Sequence, residues 1–298
     1  MSTSLHDASL PLPTLGFIGA GRVARCLATV WASAGYRVAA VASRSPASAE
    51  RLAGCLAGCL AYTHAQQVVD AAELVFVTVP DDAIRPTVAA LQFRSGQAVV
   101  HCSGASEVSL LETAQAQGAA IGGLHPLYLF SGLAVDCERI AGASITLEAS
   151  DGALRAQLGA MVAALGCTAL EIPAGARMRY HASANYAASF ILCGLREAVE
   201  VWGSFGINEA DTLAALWPML EGTLKTARER GLAGALAGPV SRGDAAVIGR
   251  QLEQLAHLGG EHARLYAHMT RRAVRLARQR ESVPPALDAI EALLAPYL

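Results

Sequence analysis

Charge is scarce in this sequence. Only 16% of the 298 residues are Asp, Glu, Lys or Arg, and the formal net charge is -2. Such a chain carries no broad field that would gather nucleic acid or hold an acidic membrane surface, so neither is expected as a partner. The one local exception, "RRAVRLARQR" from Arg271 to Arg280, reads as a solvated helix face. No apolar run is long enough to span a bilayer. The opening "MSTSLHDASLPLP" lacks the apolar core of a signal peptide, and residues 1–13 are expected to form a loose tail. CxxC pairs are missing as well. The seven cysteines are odd in number and scattered, and Cys55 and Cys59 have no histidine cluster near them in sequence. A reduced cytoplasmic protein, with neither a disulfide framework nor a metal site, accounts for that pattern. There is no internal repeat and no low-complexity segment.

What is present is apolar. Hydrophobic residues make up 53% of the chain, enough for a large core, and the length suits two domains. From Leu15 the pattern alternates. "LGFIG" is a short apolar strand; Val23, Leu27, Val30, Trp31 and Ala34 then recur at helical spacing, and Gly35 is a natural stop. "YRVAAVAS" is a second strand. Ser45 followed by Pro46 looks like an N-cap and a first helical residue ahead of the helix "ASAERLAGCLAG". "ELVFVTVP", "AVVHCSG", "AAIGGLHPL", "ASITLEA" and "CTALEIP" continue the strand series. Strands alternating with helices over short connections predict an α/β Rossmann domain, doubly wound with a mostly parallel sheet, over residues 14–173. Beyond Pro173 strand-like runs become rare, and residues 174–298 are expected to form an all-α domain. There "MRYHASANYAASFILCGLREAVEVWGSFG" reads as one long helix, apolar around most of its circumference, buried in a bundle or between subunits.

Gly19 and Gly21 stand directly after the first strand and before an amphipathic helix, in the pattern GxGxxA with Ala24 third. The first glycine permits the turn, the second lets pyrophosphate approach the backbone, and the small third residue lets helix and strand pack closely. The first helical turn, at Arg22, Val23 and Ala24, then offers free N–H groups and a partial positive charge to phosphates. The end of the second strand selects the cofactor. An NAD enzyme usually carries an acid there, which would repel a 2′-phosphate. This chain has Ser43, Arg44 and Ser45, which favours NADP: the arginine can pair with the phosphate, and the serines can donate to it.

Ligands of an open parallel sheet gather outside the carboxyl ends of its strands. "TVPDDAI" brings Val79, Pro80 and Asp81 beneath the expected nicotinamide ribose. "HCSGAS" brings Ser103 and Gly104, and "GGLHPLYLF" brings His125 and Pro126. A histidine there can hydrogen-bond a carbonyl or imine, donate a proton, or serve only structure. On the long helix, Arg177, His181 and Asn185 are four apart and share one stripe, with Tyr180 beside them. Their polar groups need partners or a polar cavity, such as a substrate cleft between the domains. In "GPVSRGD", Ser241 can cap the following helix with Asp244 in its first turn, and Arg242 can bind a carboxylate or pair with Asp244.

Taken together, "GFIGAGRVA", "VASRS", "VTVPDDAI", "HCSGA", "LHPLYLF", "RYHASANYAASF" and "GPVSRGD" resemble the family that joins a Rossmann-like domain to a DUF2520 domain, within the 6-phosphogluconate dehydrogenase-like superfamily. Its first domain is similar to those of pyrroline-5-carboxylate reductase and the F420-dependent NADP oxidoreductases. The resemblance implies an NADP-binding domain, a helical C-terminal domain and a homodimer formed largely through the latter; it supplies no substrate. The related β-hydroxyacid dehydrogenases carry a catalytic Lys on the first long helix and an Asn one turn on. Here Arg177 or Arg179 stands where that Lys would be sought, and either Asn185 or Ser189 fits the Asn register. Arginine is a poor proton donor but can stabilise a developing oxyanion.

The expected activity is therefore NADPH-dependent reduction of a small carbonyl or imine compound that carries a carboxylate. His125 or His181 donates the proton, Asn185 and Arg177 orient the carbonyl, and Ser103, Ser241 and Arg242 bind substrate. The alternative is an NADP-binding sensor or partner-binding dimer without turnover, its cleft filled by Tyr128, Phe130 or Tyr180.

Overall fold

The computed structural model describes residues 12–298, so most of the expected tail lies outside the described residues. Pro13, placed at the end of that tail, is already buried. The chain forms two compact units, the first ending at Ala187 and the second running Ala188–Leu298. The helix that begins at Arg177 thus belongs to the first unit, beyond the expected domain boundary at residue 173.

The first unit is built on one eight-stranded sheet of order β3-β2-β1-β4-β5-β6-β7-β8. Its strands are β1 (Leu15–Ile18), β2 (Val38–Ala42), β3 (Leu60–Tyr62), β4 (Leu74–Val77), β5 (Ala98–His101), β6 (Ala120–Pro126), β7 (Ser144–Ala149) and β8 (Thr168–Leu170). All neighbours pair in parallel except β6 and β7, which run antiparallel. Order reverses between β1 and β4, which makes that junction the topological switch point. The central strands β1, β2, β4 and β5 are buried throughout, as expected when helices cover both faces.

One face packs against α1 (Arg22–Ser33), α2 (Pro46–Ala53), the short α6 (Asp136–Arg139) and α7 (Gly152–Ala164); the other packs against α3 (Ala65–Ala71), α4 (Asp81–Ala89) and α5 (Glu112–Ala116). On the first face Trp31 is wholly buried. Its ring lies 4.7 Å from Phe76, which stacks on Phe17 at 5.2 Å, and its indole N–H donates to the Met161 carbonyl at 2.9 Å. The last helix of this unit is α8 (Arg177–Ala187).

The expected long helix is broken. Ala188 adopts φ -125°, ψ -91°, which ends α8 and begins α9 (Ser189–Gly203). The second unit continues with α10 (Glu209–Ala235, kinked at Gly231), α11 (Pro239–Arg242), α12 (Ala245–Leu258), α13 (His262–Ala277) and α14 (Leu287–Leu294). Its core gathers Val240, Ile248, Leu252, Val274, Ile290 and Leu294 from the last four of these. In α9 only Val199 is buried, and in α10 only Thr212. The apolar helix expected to be buried in a bundle or between subunits therefore has little cover among the described residues.

Trp31 gives the fold a direct test. Trp31→Ala removes the largest buried side chain and orphans the Met161 carbonyl, and should cost about 3–5 kcal/mol. The urea midpoint checks it; a loss under about 1 kcal/mol, the size of a surface change, contradicts this packing.

Candidate functional site

A cleft of about 340 Å³ opens over the switch point, between the ends of β1, β2 and β4. Gly19, Gly21, Ser43, Arg44, Val79 and Pro80, all named from the sequence, line it. Gly19 has φ +109°, and a Cβ there would meet the Thr78 carbonyl at 2.6 Å, so only glycine fits. The Thr78 hydroxyl bonds the Ile18 and Gly19 carbonyls at 3.2 and 3.1 Å and fixes the turn. Around Gly21 a Cβ would meet nothing within 4 Å, leaving open space at the N-terminus of α1. Ala24 is fully buried between helix and sheet, the close packing its size allows. Ser45 occupies the N-cap position of α2 and its hydroxyl accepts from Ser48 at 3.1 Å, while Arg44 is exposed. Asp81, exposed in the first turn of α4, stands beside the cleft-lining Pro80. Thr63 and Thr78 also line the cleft. Both were missed: Thr63 follows β3, a three-residue strand with an exposed pattern that gave no hydrophobic signal. A backbone turn open at Gly21, a free helix N-terminus and a guanidinium with two hydroxyls at the second strand suit a phosphorylated dinucleotide.

A second group of residues sits at the ends of β5, β6 and β7. Arg177 is fully buried. Its Nε donates to Glu148 at 2.9 Å and its Nη1 to the Ser103 carbonyl at 3.0 Å. These two bonds hold the guanidinium inside the fold, and its Nη2, also buried, has no hydrogen-bond partner among the described residues. Ser103 is buried too; its N–H donates to His101 Nδ1, and its hydroxyl accepts from the N–H groups of Ala105 and Ser106. It shapes the loop rather than facing an open cavity. Neither His101 nor Glu148 was singled out from the sequence; one reads as a strand residue and the other as a surface acid.

The Ser103–Gly104 loop backs two histidines. A Cβ at Gly104 would lie 2.7 Å from the rings of both His125 and His181, whose centroids are 5.8 Å apart. His125 Nδ1 is 3.0 Å from the Tyr180 hydroxyl. Burial, with His181 and Arg177 adding like charge, pushes the His125 pKa down to about 4. Its ring is neutral near neutrality, which leaves it hydrogen bonding rather than proton donation from an imidazolium. His101 is lowered to about 4 as well, by burial and by Arg177. His181 and Asn185 are exposed. The stripe read from spacing is real, with Arg177 turned into the sheet and His181 against Gly104. Tyr128 and Phe130 pack on each other at 5.0 Å and against the core face that carries α1.

Ser241 and Arg242 belong to the second unit. Ser241 donates to the Gly238 carbonyl at 2.8 Å, and Asp244, not Ser241, caps α12 by accepting from Val247 N–H at 3.1 Å. The short α11 intervenes, so the cap falls after Gly243. Arg242 is exposed and makes no ion pair with Asp244 among the described residues. Elsewhere in this unit, ligand atoms of Glu197, Glu200 and His262 come within 4.8 Å of one another. Glu197 is engaged by His262, and Glu200 by Arg196. All seven cysteines are free, and among the described residues no helix is long and apolar enough to cross a membrane.

A Rossmann-like domain model matches residues 2–126, and the model of a domain of unknown function, DUF2520, matches residues 143–273. None of the curated proteins matches in sequence. Among solved structures, protein TM1727 from Thermotoga maritima is similar at TM-score 0.72 and 22% identity, over 89% of this chain and 98% of that one. A reductive aminase from Aspergillus terreus, in complex with NADPH and ethyl-5-oxohexanoate, has TM-score 0.60 at 16% identity, over 96% and 93%. A 1-pyrroline-5-carboxylate reductase from Streptococcus pyogenes has TM-score 0.61 at 15% identity, over 94% and 98%.

The buried imidazoles set a pH dependence. Each titrates at about 4 when folded against 6.5 when unfolded. Between those values the unfolded chain binds the extra protons, so stability rises with pH and is lost as pH falls from 6.5 toward 4. Denaturation midpoints across this range should drop, and His101→Gln should flatten the slope. An unchanged slope in that variant contradicts a neutral, buried His101.

Proposed function

Since the chain belongs to the family that joins a Rossmann-like domain to a DUF2520 domain, we propose that it is an oxidoreductase using NADP(H) to reduce a small carbonyl or imine compound that carries a carboxylate. One observation carries this reading: an open Gly21 turn and the Ser43–Arg44 pair line a single cleft at the switch point. The pyrophosphate would rest on the backbone N–H groups of Arg22, Val23 and Ala24, where the helix dipole favours it. Arg44, with Ser43 and Ser45, would hold the 2′-phosphate, and Val79, Pro80, Asp81 and Gly104 would border the nicotinamide half. Bound NADPH supplies the hydride. Structural similarity to a reductive aminase crystallised with NADPH supports the choice of cofactor.

The chain's own residues do the rest. His181, exposed and braced on Gly104, is the proton donor. His125, neutral and fixed by Tyr180, hydrogen-bonds the reacting oxygen or nitrogen. Arg177 is a positioning residue: it locks Ser103 and so the loop behind both histidines. Asn185, one turn beyond His181, remains the group to orient the carbonyl. Arg242, exposed without a carboxylate partner, is the candidate for the substrate's acid group, with Ser241 beside it. A cytoplasmic setting, where NADPH is abundant and thiols stay reduced, suits this chemistry.

We further infer a homodimer through the helical unit. In α10, Trp217, Met219, Leu224 and Leu232 are all more than half exposed, and Leu192 of α9 is 66% exposed. A helix with large side chains uncovered on this scale fits a face meant for a second copy. Light scattering should give two chains per particle, and Trp217→Glu with Leu224→Glu should give one. A monomeric wild type removes this part of the proposal.

The functional reading has its own test. Fluorescence titration should show NADPH binding well ahead of NADH. Arg44→Asp should weaken NADPH roughly tenfold to a hundredfold with little change for NADH; equal loss for both removes the 2′-phosphate assignment. In a screen of small keto acids and cyclic imino acids, His181→Gln should cut turnover by roughly 10²–10⁴ and leave NADPH affinity intact. Unchanged turnover removes His181 from the mechanism.

A further inference from the structure

A second cleft, of about 330 Å³, lies beside α1 on the first unit, lined by side chains that the reading above leaves unused. It is walled by α1, by the end of α2 and by the loop that leads into α6. Three guanidinium groups reach it, from Arg22, Arg25 and Arg51, and the one carboxylate in its lining is Asp136. Asp136 is buried and already used: it accepts from the Ser131 hydroxyl at 2.8 Å and from the Gly132 N–H at 2.7 Å. Against the upward push of burial, these bonds and the nearby charge of Arg22 hold its carboxyl below the usual range. Among the described residues, none of the three arginines makes an ion pair. Arg22 has one long bond, to the Phe130 carbonyl at 3.4 Å, and Arg25 Nε is buried with no acceptor at all. The floor is apolar and includes Cys26, Leu52, Leu133 and Cys137.

The local electrostatics make this arrangement costly without an anion. Arg22 and Arg25 open α1, whose first turn contains no acid. A cation at a helix N-terminus opposes the helix dipole, and both arginines stand against it. Three like charges then share one cleft, with only one inward-facing carboxylate nearby. A dianion offsets both terms at once.

We propose that this cleft binds a small phosphorylated molecule, with the phosphate on the Arg22–Arg25–Arg51 rim and an apolar ring or chain on the floor. Guanidinium groups match phosphate oxygens with paired donors, and a floor of thiol and leucine side chains offers nothing to a hydroxylated body. The volume suits a ligand of metabolite size. The phosphate has two sources: a separate phosphorylated metabolite, which we favour, or the dinucleotide of the neighbouring cleft.

Phenyl phosphate is the probe, titrated calorimetrically into the full chain, with phenol and inorganic phosphate as its separated halves. The expected result is one site per chain, with both halves at least tenfold weaker. Arg25→Gln and Arg51→Gln should each weaken phenyl phosphate about tenfold. Arg51 is exposed on α2, so its variant keeps the test valid should Arg25→Gln disturb packing. Saturating NADPH should leave binding unchanged. Competition by NADPH would assign the arginines to the dinucleotide and overturn the proposal, as would no binding, or binding indifferent to both substitutions. If NADPH itself fails to bind, the reductase reading falls, and the phenyl phosphate titration still decides this one.

Discussion

One buried guanidinium organises the end of the first unit that carries the histidines. His101 of β5, Gly123 of β6 and Glu148 of β7 lie in register across three strands. A Cβ at Gly123 would collide with Arg177 Nη2, so the guanidinium spans β6 where that strand has no side chain. On one side it takes the Ser103 carbonyl and on the other the Glu148 carboxylate. Lysine could not do this, since a point charge lacks the rigid fork that bonds in two directions. Breaking such a pair leaves an uncompensated buried charge, far more costly than any exposed ion pair here. The same anchor fixes α8 to the sheet, which explains why that helix belongs with the nucleotide-type fold rather than with the helices that follow it.

That anchor also sets the electrostatics in front of it. A buried cation behind His101 and His125 raises the local potential, and burial removes the water that would screen it. Both imidazoles are kept neutral chiefly by their burial, and the charge of Arg177 adds to it. A neutral imidazole donates one hydrogen bond and accepts another, so His125 can accept from or donate to Tyr180 and still present its second nitrogen. Hydrogen-bond donors fixed at the loop suit a reaction in which negative charge grows on oxygen or nitrogen. Arg177 can contribute to that without touching substrate.

Much of this was legible in the sequence, because its signals are local. Gly19, Gly21, Ser43, Arg44, Val79 and Pro80 act within a few residues of a strand end, and a parallel sheet sends all strand ends to one place. The failures are of a different kind. β3 is short and exposed, so nothing in Leu60–Tyr62 alternates strongly enough to mark it. The break at Ala188 is invisible, because the apolar pattern continues through it and no Gly or Pro announces it. Glu148 joins this group of residues only through Arg177, which lies 29 residues from it. A spacing argument sees the stripe of Arg177 and His181 but not that one member turns inward. Asp244 displaced Ser241 as the cap because α11 ends at Gly243, a left-handed residue that restarts the chain.

The arginines of α1 connect these observations. No acid in the first turn of α1 offsets the dipole there. A dinucleotide at the Gly19–Gly21 turn would supply part of that charge from beyond the helix end. It would not reach Arg25 Nε, which is buried one turn further along. A helix left positive at its tip and again along its flank is poised for two anions. The backbone N–H groups at the tip and the guanidinium groups along the flank are separate donors, so the two anions would be held independently of one another.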